Sequence, residues 1–105
     1  MAFKNTLRKG QVRNVIFKDG NAFYGAALEF NIVEVADSPQ EAMLLLDEAM
    51  KGYVEVARKH KLPISVLNQQ ADPDYLALWN AGQKGAATTG RQVYSTSSQS
   101  IAALA

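Results

Sequence analysis

The stretch from Ser38 to Lys59 constrains this chain of 105 residues more than any other. Ser38 and Glu41 stand at capping-box spacing with Pro39 between them at the first helical position. The serine hydroxyl can then accept from a free backbone N–H while Glu41 reaches back, which predicts a helix beginning at Pro39. Apolar residues follow at Ala42, Leu45, Leu46, Ala49, Met50, Tyr53, Val56 and Ala57, with Met43 and Val54 at the edge of the stripe. Asp47, Glu48, Lys51, Glu55, Arg58 and Lys59 lie opposite, so the helix is amphipathic and its stripe must bury against a sheet. Leu44 projects from the charged face. Asp47 with Lys51 and Glu55 with Lys59 predict i,i+4 ion pairs, each worth a few tenths of a kcal/mol.

The partner of this stripe is predicted from residues 12 to 36. Val15-Ile16-Phe17 stop at Asp19-Gly20-Asn21, a turn signal because Gly and Asn accept positive φ cheaply. A second run, Ala22 to Phe30, carries Phe23, Tyr24 and Leu28, and a third, Ile32 to Ala36, alternates Val33 and Val35 with Glu34. Three antiparallel strands are expected, with Asn31 at the second turn. Apolar residues fall on both faces of the first two strands, which raises the expectation that another chain covers the second face.

Beyond His60 the pattern thins. Pro63 stops the long helix, and Ile64 to Leu67 read as a short strand or a packed loop. Asp72-Pro73 followed by Tyr75, Leu76, Leu78 and Trp79, closed by Gly82, predicts a short C-terminal helix. Trp79 reads as a core or interface anchor. From Gln83 the composition turns to Gly, Ala, Ser, Thr and Gln, which predicts a mobile tail with room for a fourth strand at Gln92-Val93-Tyr94. The division expected is a basic N-terminal arm over 1–11, a domain over 12–82 and a low-complexity tail over 83–105.

Charge is unevenly distributed although the formal net charge is only +1. Lys4, Arg8, Lys9, Arg13 and Lys18 precede a segment, 19–48, that holds seven acids and no base. Charges throughout the longest helix exclude a membrane span, and the N-terminus has no apolar signal-peptide run, so a soluble, cytoplasmic protein is expected. With no cysteine there are no disulfides or thiolate chemistry. His60, the only histidine, sits between two lysines. Glu29, Glu34 and Asp37 lack the ligand ladder of a calcium loop, and Gly82, Gly85 and Gly90 do not stand between a strand and a helix as a phosphate-cradling loop would require. The expectation is a protein without enzymatic activity, metal or cofactor.

The succession Val15-Ile16-Phe17-Lys18-Asp19-Gly20, Tyr24 through Glu29-Phe30, and Asp37-Ser38-Pro39-Gln40-Glu41-Ala42 leading into Leu45, Ala49 and Tyr53 resembles the HicB family of type II antitoxins and its HicB-like relatives. The resemblance implies an α+β, partial ribonuclease H-like fold: a three-stranded antiparallel sheet on one long amphipathic helix, plus the short C-terminal helix. It also implies a homodimer or homotetramer that masks a small basic HicA-like toxin, an RNA-cleaving protein. Residues 61–105 offer one short helix and a polar tail where many such antitoxins carry a DNA-binding domain, which argues against operator binding. Tyr24, Glu29, Glu34, Leu44, Asp47 and Trp79 are the partner-binding residues expected. Two alternatives remain open: nucleic-acid binding through Lys4, Arg8, Lys9 and Arg13, and a stand-alone oligomeric interaction module.

Overall fold

A computed structural model describes residues 5–85 and 90–104. Strands β1 (Gln11–Asp19), β2 (Ala22–Ala27) and β3 (Ile32–Ala36) are followed by helix α1 (Pro39–Lys59), a 3-10 turn (Ile64–Leu67), helix α2 (Pro73–Lys84), strand β4 (Arg91–Ser100) and a short helix α3 (Ile101–Leu104). The sheet is antiparallel throughout, in the order β3-β2-β1-β4. An α+β architecture with a four-stranded sheet results.

The local signals act as chemistry requires. Gly20 and Asn31 take positive φ at the two turns. Ser38 Oγ accepts from the Glu41 N–H at 3.1 Å, and Glu41 Oε1 accepts from the N–H of Asp37, one residue before the cap. Along α1 the buried positions are Ala42, Leu46, Met50, Val54 and Ala57. Val54 thus takes the buried place expected of Val56, which is 49% exposed. Asp47 pairs with Lys51 as expected, but Glu55 pairs with Arg58, three residues on, instead of Lys59.

Residues directly opposite in an antiparallel pair share a face. Val12 and Ile16 of β1, Ala27 of β2 and Ala36 of β3 therefore meet α1, and together with Phe30, Leu67, Ile101 and Leu104 they form the larger core. At Gly25 the helix comes so close that a Cβ would lie 3.1–3.2 Å from Ile16, the Ala42 carbonyl and Leu46. Val15, Phe17 and Ala26 point to the opposite face, where Leu78 and Tyr75 of α2 cover them with Val93 alongside. Over β1 and β4 the apolar second face is covered by the chain's own α2.

Two expectations for the C-terminal third are corrected. The segment expected as a mobile tail supplies the longest strand, because β1 has a free flank whose buried N–H and C=O groups need partners, and β4 provides them along Gln11–Asp19. Arg91 Nε reaches Asp19 Oδ2 at 3.1 Å and its guanidinium lies over the Phe17 ring. Gly82, read as a helix terminator, lies inside α2, whose left-handed C-cap is Gly85. Gly82 is instead where α2 touches β4: a Cβ there would stand 2.7 Å from Thr96 Cγ2 and 2.9 Å from Val93 Cγ1.

The N-terminal segment is tied down from Asn5. Its side chain is buried, donates to the Leu67 carbonyl at 2.8 Å and accepts from the Gln11 N–H at 2.9 Å, while Asn68 grips its backbone from both sides. Gly10, at φ 103°, leaves the space that Asn5 fills.

Candidate interaction surfaces

The outer edge of β3 is one candidate. Among the described residues β3 pairs with β2 alone, and Val33 and Val35 stand on the second face 39% and 54% exposed. Glu34 points to the α1 face, where it is half-buried, and exposed Asp37 and Glu41 follow at the end of the strand. Strand N–H and C=O groups with no strand partner among the described residues, two exposed valines on one face and the Glu34 carboxylate on the other therefore share one edge, with Asp37 and the α1 residue Glu41 beyond its end. Tyr24, expected as a contact residue, belongs to the second core: its ring stacks on Phe17 with centroids 5.3 Å apart.

At the other end of β1, an open groove of ≈ 830 Å³ is lined by Arg8, Lys9, Arg13, Glu29, Ser98 and Ser100, among others. Glu29 is not the free acid expected, nor is Arg13 a free phosphate contact. Glu29 Oε2 accepts from Arg13 Nε at 2.7 Å and its Oε1 accepts from the Arg13 N–H at 2.8 Å, with the carboxylate side chain only 15% exposed. Such a charge-assisted pair fixes both groups and cancels their long-range fields. Trp79 is half-buried beside it, its ring centroid 5.9 Å from the Arg13 guanidinium carbon. Arg8 and Lys9 are exposed, their N–H groups donating to Thr6 Oγ1. Lys4 lies outside the described residues.

A smaller groove of ≈ 290 Å³ runs between α1 and β4, with Met43, Leu44 and Asp47 on one side and Asn14, Ser97 and Gln99 on the other. Leu44 is 58% exposed, as its place on the helix predicted. Asp47 is held by Lys51 at 3.1 Å. Asn14 is buried, and its Oδ1 accepts from no described residue.

The six residues expected to bind a partner thus do not form one patch. Glu34 stands on the β3 edge, Glu29 and Trp79 at the larger groove, Leu44 and Asp47 at the smaller one, and Tyr24 in a core. Val33 and Val35 were missed as surface residues, although the strict alternation over Ile32–Ala36 already set them together on one face. Among the described residues no three His, Asp or Glu side chains gather as metal ligands, and His60 is an exposed C-cap. No described helix is long and apolar enough to cross a membrane.

Comparison with protein-family models, with curated proteins and with solved structures gives no match.

Proposed function

We propose that this chain is a HicB-like antitoxin that binds and masks a small basic, RNA-cleaving toxin through the β3 edge, by contact and without chemistry of its own. The observation that carries the reading is the coincidence, at an edge with no strand partner among the described residues, of exposed Val33 and Val35 with Glu34, and with Asp37 and Glu41 just beyond, inside a segment from Asp19 to Glu48 that has no base. Apolar side chains that become desolvated supply affinity, whereas carboxylates around them steer a basic partner in and repel RNA. A free strand edge adds backbone hydrogen bonds to a partner strand. The nucleic-acid alternative has less support: Arg13 is neutralised by Glu29, leaving Arg8 and Lys9 as the exposed cations of the described N-terminal segment.

The test is whether a neighbouring reading frame encodes a small basic protein that binds this chain; absence of such a protein, or of binding, would overturn the reading. Val35→Lys should weaken binding at least about fivefold, the loss of one interface contact worth more than about 1 kcal/mol. Glu34→Lys should slow association at low salt, with the difference shrinking as salt rises. Arg8→Gln with Lys9→Gln should leave binding unchanged. These substitutions are a cleaner probe than deleting residues 1–9, which would remove the buried Asn5 as well. If both edge variants are silent while the Arg8/Lys9 variant loses salt-sensitive DNA binding, the antitoxin reading is wrong.

A further inference from the structure

Asn14 is a polar residue in an apolar row. Val12, Asn14 and Ile16 alternate along β1 onto the face that meets α1, and Asn14, at 4% exposed, is as deeply placed as Ile16. Its Oδ1 is buried and accepts from no described residue. A buried acceptor without a donor carries a desolvation cost that an apolar side chain of the same size would avoid, so packing alone does not account for an asparagine here. A donor arriving from outside the chain does. Its route is the groove between α1 and β4, because Asn14 lines it.

The rest of the lining defines what that donor is attached to. Ile16, Leu46 and Met50 are its buried apolar residues, and Met43 is an exposed, adaptable thioether beside them. Ser97 stands directly across from Asn14 on β4, and Asp47 is the one charged side chain among the described lining residues. An anion would be repelled by Asp47, and a plain hydrocarbon would leave Asn14 Oδ1 unpaired. A lone water, whose share of liquid volume is about 30 Å³, would leave the apolar side wet in a groove of ≈ 290 Å³. An ammonium group has three donors and no acceptor, which suits carbonyl, hydroxyl and carboxylate oxygens together. We infer that this groove is a binding site for a small primary amine with an apolar body, its ammonium donating to Asn14 and drawn in by Asp47, its body against Met43, Leu46 and Met50. The inference does not rest on the antitoxin reading, since β3 lies at the other side of the sheet.

The test is titration of the ¹⁵N-labelled full chain with 2-phenylethylamine, followed by two-dimensional NMR. Saturable shifts should gather on the Asn14 side-chain amide and on the backbone amides of Leu44, Asp47 and Ser97, with a dissociation constant on the order of 1 mM, ordinary for a ligand of about nine heavy atoms. Phenylacetate and 2-phenylethanol, which share the apolar body but lack the ammonium, should bind at least about tenfold more weakly. Asn14→Leu keeps a side chain of similar size without the acceptor. It should raise the denaturant midpoint or leave it unchanged, and weaken the amine at least about tenfold. Asp47→Asn, which changes a half-buried helix residue and so keeps the test open should Asn14→Leu fail to fold, should weaken the amine and remove the salt dependence of its binding while leaving 2-phenylethanol unaffected. No saturable shift well above that constant, shifts centred elsewhere, equal binding of all three compounds, or a folded Asn14→Leu chain that binds the amine like the wild type would each overturn the inference.

Discussion

β3 and β4 bound the same sheet on opposite sides, and they leave their free backbone groups open in different ways. β3 is five residues long, carries Glu34 at its centre and exposes Val33 and Val35. β4 is twice as long and almost wholly Ser, Thr and Gln, with Val93 and Tyr94 near its start. Sheet edges share one hazard, indiscriminate strand addition, and the two strands answer it with different chemistry. A central carboxylate makes β3 repel its own copy while attracting a cation. Neutral side chains leave β4 without that repulsion or that attraction, and offer little apolar area to a partner. Partner choice at an edge is thus set by which charges would be forced face to face, more than by how much backbone is free.

The acidic segment invites a sharper version of the same comparison, between carboxylates built into the fold and those that face outward. Glu29→Gln should cost about 1–3 kcal/mol in denaturant unfolding, because a charge-assisted bond is lost and Arg13 is left half-buried without its counter-charge. Its effect on association with a basic partner should be small, the reverse of the pattern expected for Glu34→Lys. Equal effects of the two on association would erase the distinction.

A smaller effect tests the β3 edge directly. Glu34→Thr should add self-association at β3, stabilising the contact by roughly 0.2–1 kcal/mol, the range for removing opposed like charges. Sedimentation at rising concentration would reveal it, and a mass unchanged from the wild type would mean that Glu34 is not what keeps β3 from pairing with itself. The smallest effect is expected for Asp47→Asn, which removes an exposed i,i+4 pair with Lys51 and should cost only about 0.3–0.5 kcal/mol. Thermal unfolding would measure it. A loss above 1 kcal/mol would show that the groove between α1 and β4 depends on this carboxylate.

Much of the first sixty residues was legible because the signals there are local. Ser38, Pro39 and Glu41 define the start of α1 within four residues, and Asp19-Gly20-Asn21 defines the β1–β2 turn. The C-terminal third was less legible because its structure is borrowed. The Ser/Thr/Gln composition of β4 has little intrinsic signal, and the strand exists because β1 presents a flank to pair with. The cover on the second face was hidden for a related reason: nothing near Val15 or Phe17 announces that Leu78, some sixty positions later, will reach them. Likewise, the bond between Arg13 and Glu29 crosses from one strand to the turn after the next, so the basic arm and the acidic block looked like separate features. Gly82 carried a true signal of a special position but not of its kind, since a terminator and a close-contact site call for the same residue.

The pairing of β1 with β4 also sets an order of events as the chain is made. Asp19 meets Arg91, 72 positions further on, so a chain still on the ribosome can assemble β1, β2, β3 and α1 long before the other flank of β1 finds its partner. Through that interval the larger core still lacks Ile101 and Leu104, and one row of β1 backbone groups stays open to water. Translation that halts before β4 emerges leaves a nascent chain with an unguarded strand in the middle of what should become the sheet, the kind of exposed pairing template that aggregation and chaperones both act upon.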